Sequence, residues 1–181
     1  MSKLLVVVDM QNDFVDGVLG TKEAQAIVGN VCEKIRSFEG DILVTLDTHE
    51  ADYLHTQEGA YLPVEHCIKN TDGWRMQAAV QTALSEREGA GSKVAYFEKP
   101  TFGSTNLANY LAKRNTEETI EQITLIGVCT DICVVSNAIL LKAVMPEVRL
   151  AVDATCCAGV TPAKHLAALE TMRSCQIQVI E

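Results

Sequence analysis

The sequence has no run of basic residues, no apolar stretch long enough to cross a bilayer, no paired pattern of cysteines and only 5% aromatic residues. Each absence removes a class of protein. Lysine and arginine number 15 against 24 aspartates and glutamates, a formal charge of -9. Without a basic patch, that balance repels the phosphates of nucleic acid and the anionic surface of a membrane, so neither is an expected partner. A membrane span needs roughly 18 to 20 consecutive apolar residues, which the chain lacks. The apolar run in MSKLLVVVDMQNDF is closed by Asp9 after five residues, with no small-residue cleavage site behind it. It reads as a strand, and the expected location is cytoplasmic. Cysteines at 32, 67, 129, 133, 156, 157 and 175 are odd in number and scattered, which predicts reduced thiols rather than a disulfide framework. The aromatics are sparse enough that one on a pocket wall is informative, and Phe14, close behind Asp9, is the expected wall.

What remains is an ordinary globular composition, 48% hydrophobic over 181 residues, which fits one domain spanning 1–181. Apolar runs alternate with helical patterns, the signature of a mostly parallel sheet covered by helices. Six strands are predicted at 3–9, 41–47, 93–97, 122–128, 148–152 and 176–180. They are β-branched and continuous, as strands buried on both faces should be. Helices are predicted at 22–38, 74–85, 104–114, 131–144 and 162–174, the last capped by Thr161 ahead of Pro162. The segment 48–73 breaks this rhythm. It is 26 residues long, holds three of the four histidines and has no convincing period, and long ordered loops of this kind are usually functional.

In open α/β sheets ligands sit beyond the carboxyl ends of the strands, which here deliver Asp9, Asp47 and the turn GVCTDICV. Cys133, in the first turn of the helix after a buried strand, faces the positive end of the helix dipole, which is expected to lower its pKa and favour the thiolate nucleophile. Cys129 and Cys133 lack the spacing and the second pair of a cysteine metal site. Asp9, at the end of an apolar strand, is the candidate base, its pKa raised by desolvation. Lys99, held extended by Pro100, would steady the charges. A second constellation is Asp47-Thr48-His49 with His55, Glu58 and His66. Residues two apart on an extended chain face the same side, so Asp47 and His49 can share one ion while the loop folds others back onto it. Mixed oxygen and nitrogen donors suit one divalent ion per chain: Zn, Fe or Mn. His165 reads as surface, and Cys32, Cys156, Cys157 and Cys175 as packing residues.

DMQNDF, KPTFGST and GVCTDICV, in that order at strand ends, resemble the three motifs of the isochorismatase-like cysteine hydrolases, the superfamily that includes nicotinamidases. The likeness covers nearly the whole chain. It implies a three-layer α/β/α fold with a six-stranded parallel sheet of order 3-2-1-4-5-6, a catalytic triad of Asp9, Lys99 and Cys133, and an oxyanion hole from the backbone N–H groups of Cys129 and Cys133, with a cis peptide before Cys129. DTHE and LPVEHC are similar to the metal loop of the nicotinamidase branch, implying Asp47, His49 and His66 as ligands with either His55 or Glu58 as the fourth. In that branch the ion binds the pyridine nitrogen of the substrate. Where nicotinamidases place a large aromatic before the last loop histidine, this chain has Tyr61 as the candidate substrate contact. The resemblance implies hydrolysis of a small amide, foremost nicotinamide, by a homo-oligomer. The alternatives are an isochorismatase, which cleaves a vinyl ether without a metal, and a non-catalytic binding member of the superfamily.

Overall fold

A computed structural model describes residues 2–181. Strands β1 (Ser2–Val8), β2 (Asp41–Asp47), β3 (Val94–Lys99), β4 (Ile120–Val128), β5 (Arg149–Ala158) and β6 (Gln178–Ile180) form one sheet in the order β3-β2-β1-β4-β5-β6, with every pairing parallel. The helices are α1 (Asn12–Val15), α2 (Lys22–Ser37), α3 (Gln57–Tyr61), α4 (Ala78–Gly89), α5 (Thr105–Glu117), α6 (Val135–Val144) and α7 (Pro162–Ser174).

Successive strand side chains point to opposite faces, and both faces of this sheet are dry. Leu4, Val6 and Val8 of β1 pack with α5, α6 and α7 through Leu107, Leu111, Ala138, Leu141 and Met172. Leu5 and Val7 pack on the other side with Val31 and Ile35 of α2 and Val80 and Leu84 of α4. The fold is therefore the expected three-layer α/β/α arrangement. No helix among the described residues is long and apolar enough to cross a membrane, and all seven cysteines are unpaired.

Several boundaries differ from expectation, three of them for reasons the backbone makes plain. The helix predicted from Trp74 starts at Ala78, because Gln77 caps it by accepting from Ala79 N and Val80 N at 2.8 and 3.2 Å, while the backbone of Trp74 and Arg75 is claimed by hydrogen bonds from residues 11 and 12. The helix predicted from Asp131 opens instead as a π turn over Thr130–Val134, and α6 follows. β5 runs six residues past its predicted end, since Asp153 and Thr155 interrupt the apolar pattern without ending the ladder.

That polar interruption is itself anchored. Lys34 of α2 donates to Asp153 at 2.7 Å, and Thr155 donates to the same carboxylate at 2.6 Å. Burial alone would raise the Asp153 pKa, but Lys34 and Thr155 outweigh it and hold it below the usual value. A depressed carboxylate contributes stability that is present above its unfolded value of about 3.8 and lost as pH falls through the folded value. Asp153→Asn should therefore cost about 1 kcal/mol at neutral pH. Urea unfolding should show the deficit closing in acid, and a deficit unchanged with pH would refute the assignment.

Candidate active site

Four neighbouring strand ends carry the polar side chains. β1 stops at Val8 because Asp9 takes a left-handed backbone (φ 49°), a conformation aspartate tolerates better than most residues. Beside it β4 must turn where its backbone nearly touches β1. At Gly127 (φ 114°) a Cβ would stand 2.1 Å from the Val8 carbonyl oxygen, so only glycine fits. Beyond it the Val128–Cys129 peptide is cis, and the π turn presents Cys133.

Asp9, Lys99 and Cys133 come together in a solvent-excluded cluster. Lys99 Nζ lies 2.7 Å from Asp9 Oδ2, 3.1 Å from Asp47 Oδ1, 3.1 Å from the Thr101 carbonyl and 3.5 Å from Cys133 Sγ. Thr45 Oγ1 donates to Asp9 Oδ1 at 2.6 Å. Apart from the Lys99 ion pair, Asp9 Oδ2 receives no hydrogen bond among the described residues, which leaves it the oxygen able to take a proton. Lys99, expected just past its strand, is its last residue, in register with Asp47.

The expectation of a lowered Cys133 pKa is corrected. Burial pushes the thiol well above its ordinary value and the Asp9 charge adds to this, with Lys99 opposing. The residue sits deep in the π turn, not at the wet start of a helix. Burial likewise raises Asp9, against the pull of Lys99. Burial works against the Lys99 ammonium, but Asp9, Cys133 and Asp47 outweigh it and hold its pKa above the usual range. Cys129, on the cavity wall, is pushed up to about 12 by burial and Asp131, so its thiol stays protonated.

The loop expected to bind metal folds back as predicted. His49 joins a short parallel bridge with Ile68, Thr56 caps α3 by accepting from Gly59 N, and α3 turns Glu58 inward. Donor atoms of Asp47, His49 and His66 all lie within 4.8 Å of one another. Asp47 Oδ2 is 3.0 Å from His49 Nε2 and 3.5 Å from His66 Nε2, and Glu58 Oε1 stands 3.6 and 3.9 Å from the same two nitrogens. Donors about 2.1 Å from a common ion stand roughly 3.0 Å apart at right angles and roughly 3.4 Å apart at tetrahedral angles, so these spacings suit one ion. The His66 Nδ1–H donates to the Val64 carbonyl at 2.8 Å, which leaves the lone pair of Nε2 free to accept an ion. Of the two candidates for the fourth ligand the structure brings in Glu58, while His55 lies exposed in the short turn Tyr53–His55.

Between triad and donor cluster lies a cavity of about 220 Å³ whose walls include Phe14, Leu62, Phe102, Ile132 and Val160. Phe14 is where it was expected and packs on His66 with centroids 5.5 Å apart. Tyr61 is not: at the outer end of α3 it is 86% exposed and borders only an outer groove, and Phe102 holds the inner wall instead. His165 is not simple surface either, since its Nδ1 meets the buried Thr130 hydroxyl at 2.8 Å beneath the Cys133 turn. Sequence reasoning also missed three supporting residues. Thr45 orients Asp9. Asn137 ties the Lys99 loop to the Cys133 turn through Ser104 N and Cys133 O. Gln11 hydrogen-bonds to both backbone groups of Asp47. Their presence inside a motif, a strand or a helix gave no signal separable from ordinary polar positions.

A family model described as Isochorismatase domain matches residues 3–181. An isochorismatase family protein, PncA of Bacillus subtilis, is 34% identical over 151 residues, 77% of this chain and 78% of that one. The nicotinamidase/pyrazinamidase of Mycobacterium tuberculosis is 29% identical across 98% of both chains. The crystal structure of nicotinamidase/pyrazinamidase PncA from Bacillus subtilis superposes with a TM-score of 0.86 over 100% of both chains, at 26% identity.

Proposed function

The chain belongs to the isochorismatase family, and from that premise we propose that it is a cysteine-dependent amidohydrolase that converts nicotinamide to nicotinate and ammonia. The observation that carries this reading is the buried Asp9–Lys99–Cys133 cluster opening on a small cavity flanked by the Asp47, His49 and His66 donors, with Glu58 beside the two imidazoles. The cavity favours a neutral, flat, apolar-faced substrate. No lysine or arginine lines it, which disfavours the dianionic isochorismate. The intact triad disfavours a binding-only role.

Catalysis begins when Asp9 Oδ2 takes the Cys133 proton. Burial opposes ionising either group alone, yet this transfer moves a charge within the cluster and leaves the net charge of Asp9, Cys133 and Lys99 unchanged. The Sγ attacks the amide carbon, and the oxyanion is met by the backbone N–H groups of Cys129 and Cys133. Asp9 returns the proton to the departing nitrogen, the C–N bond breaks and ammonia leaves a thioester. Asp9 then draws a proton from water, whose oxygen attacks the thioester carbon, the C–S bond breaks, the proton passes back to Sγ, and the acid departs and loses its remaining proton to water as nicotinate. Lys99 remains an ammonium throughout. Asp47, His49, His66 and Glu58 would hold a divalent ion, Zn, Fe or Mn, which when bound supplies a Lewis acid for a ring nitrogen.

The test is ammonia release from nicotinamide by metal-loaded protein, with isochorismate assayed alongside. We expect turnover of about 1 to 10³ per second on the amide and none on the vinyl ether. A folded, metal-loaded protein that leaves nicotinamide intact would overturn the substrate assignment.

A further inference from the structure

Gln11 is fully buried, yet it does not line the cavity and it meets the donor cluster only through the backbone of Asp47. Its side-chain amide does what a strand would do. Oε1 accepts from Asp47 N at 2.8 Å, and Nε2 donates to the Asp47 carbonyl at 2.8 Å and to the Trp74 carbonyl at 2.8 Å. The β1–β2 ladder ends at Val8 opposite Thr45, with Asp9 N reaching Thr45 O as its last bond. The left-handed turn at Asp9 then carries the chain away. The backbone of Asp47 would otherwise lose its partner on that side at the residue where position matters most. Asp47 sends Oδ1 to Lys99 at 3.1 Å and Oδ2 to His49 and His66 at 3.0 and 3.5 Å. One carboxylate thus belongs to both halves of the site, and a small rotation of its peptide would move it out of both.

We propose that Gln11 is the positioning residue of this enzyme: its amide substitutes for the missing strand beside Asp47 and so fixes the carboxylate that links the ligand cluster to Lys99. The assignment rests on the reading that Asp47, His49, His66 and Glu58 bind a divalent ion. Residues that hold ligands without touching the metal typically change affinity 10- to 100-fold when replaced. Trp74, the single tryptophan, provides a local probe, because its indole donates to Thr48 next to Asp47 while its carbonyl receives Gln11.

The experiment is a zinc titration of metal-stripped protein against a competing chelator, read by Trp74 fluorescence and by direct zinc analysis. It compares the wild type with Gln11→Met, which keeps the shape and loses the amide, and Gln11→Glu, which keeps the acceptor for Asp47 N but sets an oxygen against two carbonyls. Ile35→Ala, a core truncation away from the site, controls for stability loss. We expect about one zinc per wild-type chain, unchanged zinc affinity in Ile35→Ala and a 10- to 100-fold loss in both Gln11 variants. If Gln11→Met does not fold, Gln11→Glu decides alone. Wild-type protein that binds no zinc overturns the metal reading and this assignment with it. Wild-type protein that binds zinc, with Gln11 variants within twofold of it, overturns the assignment alone, as does an equal loss in Ile35→Ala.

Discussion

Cys133→Ala should cut ammonia release from nicotinamide by about 10⁴-fold or more while the protein stays folded, in line with the loss of a nucleophile elsewhere. Among the described residues, Cys133 Sγ is the one nucleophilic atom that faces the cavity within reach of both the Lys99 ammonium and Asp9. Removing it leaves no group to form the thioester, since the neighbouring Cys129 thiol is held protonated by burial and Asp131. The structural cost is small, because alanine fills most of the same volume and no hydrogen bond that shapes the turn uses the sulfur: the Cys133 carbonyl keeps Asn137, and the Cys129 carbonyl keeps Ile132 N and Val134 N. Ammonia release and thermal unfolding measured on one sample separate the two effects. Activity within tenfold of wild type would dispose of the mechanism.

Lys99→Met should be the most destabilising single change at the site. Lys99 is fully buried and pairs with two carboxylates that are themselves buried, so its loss strands both. Breaking a buried ion pair in this way costs about 3 to 5 kcal/mol. The pH dependence follows from the direction of each shift. In the wild type, Lys99 has a raised pKa, so its contribution is complete below the unfolded value near 10.5 and is lost only as pH rises past it. Asp9 is already raised by burial, with Lys99 as the main opposing influence. Without that cation it rises further, and a raised carboxylate favours the folded state below its unfolded value and penalises it above. In metal-free protein the variant should therefore lie closest to wild type near pH 4 and furthest from it near pH 8. Urea unfolding at the two pH values checks this, and a deficit that shrinks with rising pH would contradict the charge assignment.

The parts legible in the sequence are those that repeat or that stand out against an apolar background. Each strand announced itself as a β-branched run, and Asp9 and Asp47 were conspicuous because a carboxylate closes such a run. Lys99 and Cys133 were found at the same sheet edge for the same reason. The illegible parts depend on backbone geometry that side-chain pattern does not encode. The helical pattern reads from Trp74, yet Arg75 O accepts from Asn12 N, Gln77 N donates to Met10 O and the helix begins only at Ala78. The choice between His55 and Glu58 turned on a five-residue helix too short to have a period, which points its first turn inward and Tyr61 outward. Gln11 and Thr45 looked like ordinary polar residues because what they hold, an Asp47 peptide and an Asp9 oxygen, is distant in sequence.

The strand order places Lys99, Asp47, Asp9 and Cys133 on β3, β2, just past β1 and just past β4, four consecutive rungs of one lattice. Adjacent rungs of a sheet are spaced about 4.8 Å apart whatever connects them. Lys99 spans two rungs to meet Asp9, a reach suited to a lysine's long flexible stem. The lateral distances of the chemistry are thus set by the sheet, whereas Phe14, Leu62, Phe102 and Val160, which shape the cavity, belong to the crossovers. Reactivity and selectivity are therefore inherited on separate parts of the chain. Descendants of this scaffold can lengthen, shorten or exchange their crossovers to admit a different amide without disturbing the distance over which a proton moves.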